Sequence, residues 1–215
     1  MAAGFFVVLE GPEAAGKSTL ARALADRMRA NGIEPVLVHE PGGTPVANAL
    51  RHELLDTARE FPPAMELLYM VTARADLVSR VIRPALDAGQ TVISDRYDLS
   101  TLAYQGAGRG VPRDQLQWVN AAATSGLVPD LTLVLDLDPG EARARQLRAG
   151  KGLDRIERAS GEFHARVAAA YREAEGPGIR HLAAGAAPDV VLTGAWQAIA
   201  AARPDLFNPR GGDTR

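Results

Sequence analysis

Gly11, Pro12, Glu13, Ala14, Ala15, Gly16, Lys17 and Ser18 spell G-x-x-x-x-G-K-[ST] between an apolar run and a stretch of helical periodicity, the arrangement that cradles the phosphates of a nucleoside triphosphate. Glycines let the chain turn so that successive N–H groups face one anion, and the following helix adds the positive end of its dipole. Lys17 is then expected to reach the β- and γ-phosphates, with Thr19 following in the same helix start. Ser18 offers a hydroxyl to Mg²⁺, which keeps most of its waters and takes few protein ligands. The chain holds 22 Arg and only 2 Lys, so lysine stands at position 17 where arginine is the habit.

Phe5 to Leu9 is a continuous apolar run bounded by Gly4 and Gly11, as in a strand buried on both faces of a parallel sheet. Similar runs are Pro35 to His39, Thr91 to Asp95 and Leu131 to Asp136, and a weaker fifth strand is expected at Ile179 to Leu182. Helices are expected at Lys17 to Asn31, Val46 to Thr57, Pro63 to Ala88, Arg113 to Ser125, Glu141 to Leu147, Ile156 to Glu175 and Gly194 to Ala202. This alternation predicts an α/β phosphate-loop NTPase fold, a five-stranded parallel sheet flanked by helices. The Arg-rich stretch between the two helices before the fifth strand reads as a lid, at about 145–155. One domain over 1–203 is expected, with a flexible tail at 204–215.

Ligands of such sheets sit beyond the carboxyl ends of the strands. Those ends carry Glu10, His39 with Glu40, Asp95 with Arg96, and Asp136. Glu10 and Asp95 are therefore expected to join Ser18 in handling Mg²⁺, Asp95 through a bound water.

A net charge of −2 and a pI near 6.1 give no basic footprint for nucleic acid or an anionic membrane. No cysteine is present, which removes disulfides, thiolate metal sites and cysteine nucleophiles. His39, His52, His164 and His181 share no metal-site spacing. Without a membrane span or signal peptide, the chain reads as a cytoplasmic protein acting on small nucleotides.

Several strings in order, Glu10-Gly11 with the octet, Glu40-Pro41-Gly42-Gly43-Thr44, Asp95-Arg96-Tyr97, Ser100 to Gly106 (STLAYQG) and Leu153 to Glu157 (LDRIE), resemble bacterial thymidylate kinase. The likeness runs from about residue 5 to about residue 200. It implies transfer of the γ-phosphoryl group of ATP to dTMP, and a homodimer. It implies that Arg51 and Arg96 hold the acceptor phosphate, Arg74 reads the thymine edge, and Thr101 and Gln105 lie near the base. Tyr104 would pack on the sugar and Glu13 would touch its 3′-hydroxyl. The octet interior lacks a basic residue, so the chain resembles the subgroup whose catalytic cation comes from the lid, with Arg148 favoured over Lys151. Two positions depart from the family pattern: Met70 stands where a stacking phenylalanine is frequent, beside Tyr69, and His39 stands where arginine is frequent.

Phosphoryl transfer needs positioning and charge neutralisation more than covalent help. A phosphate acceptor is already mostly dianionic at neutral pH, so no general base is assigned. Lys17, Arg96, Arg148 and Asp95 form the expected catalytic set. A nucleoside kinase with Asp95 or Glu10 as base, another monophosphate kinase, or a nucleotide-dependent switch ATPase are the competing readings.

Overall fold

The computed structural model describes residues 4–150 and 152–207. β1 (Phe5–Glu10) is buried throughout and lies at the centre of a parallel sheet ordered β2-β3-β1-β4-β5, with β2 at Val36–His39, β3 at Thr91–Asp95, β4 at Leu131–Asp136 and β5 at Ile179–Ala183. Every pairing is parallel, with Val7 opposite both Ile93 and Leu131. Alternation along β1 feeds two layers. Phe5, Val7 and Leu9 pack with Leu20, Leu24 and Met28 of α1 (Lys17–Ala30), whereas Phe6 and Val8 pack with Val38, Leu77, Ile82 and Tyr97. The spacing of Leu20, Leu24 and Met28 is one helix face, and it matches the sequence expectation.

α2 (Pro45–Leu55) begins where Thr44 accepts a bond from the Ala47 N–H, an N-cap that satisfies one of the first orphan donors. α3 (Pro63–Leu77) passes through a wider turn at Val78–Ile82 into α4 (Arg83–Asp87). The single helix expected over Pro63 to Ala88 is thus interrupted, and Pro84 supplies the reason: it has no N–H for the carbonyl of the preceding turn.

After β3, α5 (Asp98–Thr101) runs into a wide-turn helix at Leu102–Gly108. Sequence periodicity did not mark this element, because Gly106 and Gly108 weaken helix propensity. A side chain at Gly108 would meet the Phe163 ring at 2.5 Å, so packing demands glycine there. α6 (Arg113–Thr124) and α7 (Pro139–Ala149) follow, the latter capped by Asp138. α8 (Gly161–Arg172) starts five residues later than the expected Ile156, since Ser160 caps it and Asp154 closes a separate turn onto the Ile156 and Glu157 N–H groups. α9 (Pro188–Ala202) begins before the expected Gly194, at a proline suited to the first helical turn. The tail expectation needs correction at its start: α10 (Pro204–Phe207) is helical, and Phe207 is buried against Phe5 and Trp196. Residues 208–215 lie outside the described residues.

Candidate active site

The turn leaving β1 builds an anion cradle. Gly11, Ala14 and Gly16 take positive φ of 137°, 58° and 94°, and a Cβ at Gly11 would lie 2.6 Å from the Leu135 carbonyl oxygen. Gly16 caps α1 without a side-chain acceptor, and no acidic residue lies in its first turn. Its leading N–H groups are thereby kept for an anion. Lys17 Nζ donates to the Gly11 and Pro12 carbonyls at 3.0 and 2.6 Å. Burial lowers its pKa to about 8, with Arg96 adding to the shift.

Ser18 Oγ donates to Asp95 Oδ2. These hard oxygen donors, a hydroxyl from the start of α1 and a carboxylate from the end of β3, fit a Mg²⁺ ion that retains its waters. Among the described residues no group of three or more His, Cys, Asp or Glu converges as a metal site. Glu10 corrects the expectation that it shares in metal binding. Its carboxylate is 0% exposed and accepts bonds from the Tyr97 and Ser100 N–H groups, the Ser100 hydroxyl and the Tyr171 hydroxyl. Glu10 is an anchor for the chain leaving β3.

That anchor sets the attitude of Arg96, which has a φ of 79°, a left-handed conformation costly for a residue with a side chain. The Arg96 N–H donates to the Leu9 carbonyl at 2.9 Å, and Ser94 Oγ donates to the Arg96 carbonyl at 2.7 Å. The guanidinium bonds to the Gly11 carbonyl, the Ser100, Tyr171 and Tyr104 hydroxyls and the Glu13 carboxylate. Burial acts to raise the Glu13 carboxyl, but Arg96 and Lys17 outweigh it and hold the pKa at about 2.

A cavity of about 580 Å³ joins these groups, with Glu13, Lys17, Ser18, Arg51, Met70, Asp95, Arg96 and Tyr104 all on its wall. Ala14, Gly16 and Thr19 of the phosphate loop and the departing His39 border it too. Arg51 is steadied by the Pro41 carbonyl at 2.8 Å. Tyr69 packs on Phe61 at 5.2 Å between ring centroids, leaving Met70 as the apolar wall.

Three residues expected at the base are turned into the protein. Arg74 is 1% exposed and bonds to Glu40, Thr101, Asn120 and the Tyr97 carbonyl. Four of its five N–H donors are thereby used, which leaves one N–H and makes Arg74 the group that orients Thr101. Burial pushes the Glu40 carboxyl up to about 7 despite the Arg74 guanidinium. Thr101 and Gln105 are both 0% exposed; Gln105 Nε2 donates to Glu66 at 3.0 Å.

The lid expectation changes more. Arg148 is exposed, donates to the Ala144 carbonyl of its own helix at 3.3 Å and lies on the wall of neither this cavity nor its neighbour. Lys151 lies outside the described residues. The neighbouring cavity, about 470 Å³, brings Arg143 and Arg158 onto one wall with Pro12 and Glu13. Sequence reasoning missed these two, and it missed Ser100 as anchor and Tyr171, which belongs to none of the motifs. Arg158 directly follows the LDRIE string, the one signal that pointed toward it.

A family model described as thymidylate kinase matches residues 9–187. The thymidylate kinase of Deinococcus radiodurans is 48% identical over 167 residues, covering 78% of this chain and 81% of that protein. That of Cereibacter sphaeroides is 45% identical over 208 residues, with coverage of 93% and 95%. That of Pseudomonas fluorescens is 46% identical over 169 residues, with coverage of 78% and 80%. The crystal structure of thymidylate kinase from Ehrlichia chaffeensis superposes with a TM-score of 0.73 over 92% of this chain and 98% of that one at 24% identity, a likeness of fold.

Proposed function

The chain belongs to the thymidylate kinase family and transfers the γ-phosphoryl group of ATP to dTMP, and from that premise we propose how its residues divide the work. One observation carries the assignment: the phosphate loop with Lys17, the Ser18–Asp95 pair, and Arg51, Arg96 and Met70 share a single cavity. The octet from Gly11 to Ser18, with Thr19, holds the triphosphate. Lys17 and Arg96 stabilise charge on the migrating group, and Arg51 and Arg96 hold the acceptor phosphate dianion in line with it. Glu13, pinned by Arg96 and Tyr104, receives the sugar hydroxyl, and Tyr104 packs against the sugar. Met70 supplies a polarizable face for the base. Thr101 and Gln105 close the base pocket from behind, with Arg74 orienting Thr101. No side chain is asked to remove a proton.

Mg²⁺, held by the Ser18 hydroxyl and by Asp95 through water, would neutralise charge on the β- and γ-phosphate oxygens. The lid, about 145–155 with its flanks, supplies a further cation, and the cavity-facing Arg143 and Arg158 support this role better than Arg148 does. The protein works in the cytoplasm; no described helix is long and apolar enough to cross a membrane. It forms a homodimer through α2, α3 and α6, of which α3 packs on both others and which expose Val46, Leu68 and Trp118.

An ADP-release assay with each natural nucleoside monophosphate and with thymidine tests the assignment. The expected outcome is strong stimulation by dTMP. Phosphorylation of thymidine but not dTMP would favour the nucleoside-kinase reading.

A further inference from the structure

The segment from Leu153 to Arg158 separates the two cavities. Asp154, Ile156 and Glu157 face the acceptor side, and Leu153, Glu157 and Arg158 face the cavity at Pro12 and Glu13. Arg155 faces neither. Its side chain is 12% exposed and turns inward: Nε donates to the Leu54 carbonyl at 2.8 Å, Nη2 lies 2.7 Å from Glu66 Oε2, and the guanidinium packs 4.9 Å from the Phe61 ring centre.

Glu66 is fully buried on α3, one turn before Met70. Its carboxylate also receives Arg109 Nε and Nη2 at 3.2 and 3.1 Å and Gln105 Nε2 at 3.0 Å. One carboxylate therefore joins the lid segment, the helix bearing Met70 and the wide-turn helix bearing Tyr104 and Gln105. Gln105 is oriented by this contact, since its Nε2 is committed to Glu66 and its Oε1 is buried with no partner among the described residues. Arg109 has a second anchor, 4.4 Å from the Phe163 ring centre. Arg155 likewise has further anchors, the Leu54 carbonyl and the Phe61 ring, while Glu66 neutralises its charge, and separating such a buried pair is costly. The pair thus holds the segment against α3 and the wide-turn helix.

Resting on the dTMP kinase reading, we propose that Arg155 is a positioning residue: by pairing with Glu66 it ties the lid segment to the helices that hold the acceptor base, so that acceptor binding and lid closure favour each other. Coupling of this kind must be reciprocal between the two nucleotides.

The test measures the dTMP dissociation constant by calorimetry, with and without a non-hydrolysable ATP analogue, for the wild type, Arg155→Ala and Arg155→Lys. The wild type is expected to bind dTMP about tenfold tighter when the analogue is present. Arg155→Ala should bring that ratio to about one while changing affinity for dTMP alone by less than about threefold, and turnover should fall about tenfold. Arg155→Lys, which keeps the charge, should recover part of the ratio. An unchanged ratio in Arg155→Ala overturns the proposal. So does a loss of dTMP affinity in both variants without analogue, which marks a purely structural role. A wild type that turns over dTMP with no coupling sinks the latch alone, whereas one that couples the two nucleotides yet transfers no phosphoryl group sinks the assigned reaction.

Discussion

Lys17, which is buried, and Arg96, which is partly buried, both have work to do on phosphates, yet they are held differently. Lys17 meets only carbonyl oxygens at bonding distance, so Lys17→Ala should lower turnover by about 10³-fold or more without lowering the melting temperature, which calorimetry can check. The buried amine titrates near 8 in the folded protein and at 10.5 by default. The folded state therefore loses this proton first, and stability should rise as pH climbs from about 8 toward 10.5. Affinity of the free enzyme for ATP should fall over the same window, measurable by calorimetry at successive pH values. Glu13 has the same sign in an acid window: its carboxyl, held at about 2, stabilises the fold above its ordinary value of 4.5 and loses that contribution as pH falls toward 2. An acid-denaturation profile of Glu13→Gln should lack that component.

Helix starts place the site, and each has a separable energetic part. Thr44 caps α2 and also donates to Asp76 Oδ2 of α3 at 2.5 Å, fixing the helix that carries Arg51 against the helix that carries Met70. Thr44→Ala should cost about 1 kcal/mol in urea denaturation and raise the dTMP KM. The phosphate loop, the parallel strands and α1 were legible because glycine spacing and apolar periodicity act locally. Asp98 to Gly108 was not legible, since its glycines oppose a helix and only Phe163, more than fifty residues away, explains Gly108. Arg74 was visible as an arginine among apolar residues, but its four partners come from three other parts of the chain, Glu40, Tyr97 with Thr101, and Asn120. The lid was read as an arginine-rich gap, and the arginines that line a cavity, Arg143 and Arg158, stand on either side of it. Substituting alanine at Arg143, Arg148 and Arg158 in turn should lower kcat more at 143 or 158 than at 148; the reverse order would restore the sequence expectation.

At the scale of the molecule, β1 divides the sheet so that its two faces feed separate cores while its carboxyl end delivers the phosphate loop into the crevice. The loop, the Asp95-Arg96 turn and the start of α2 are therefore presented on one side by strands that cannot shift independently. Trp118 remains 73% exposed and Leu68 57% exposed on packed neighbouring helices, an arrangement expected to be covered in a dimer. Sedimentation should give twice the chain mass, and Trp118→Asp should shift the population toward monomer.

The Arg96 guanidinium is bonded to the phosphate loop through Gly11 and Glu13, to Tyr104 and to Ser100. Rapid-quench measurement of dTDP formation from ATP and dTMP should show Arg96→Ala slowed by about 10³-fold or more while the affinity for ATP stays within about threefold of wild type. Turnover close to wild type in that variant would contradict a transfer site built around this guanidinium.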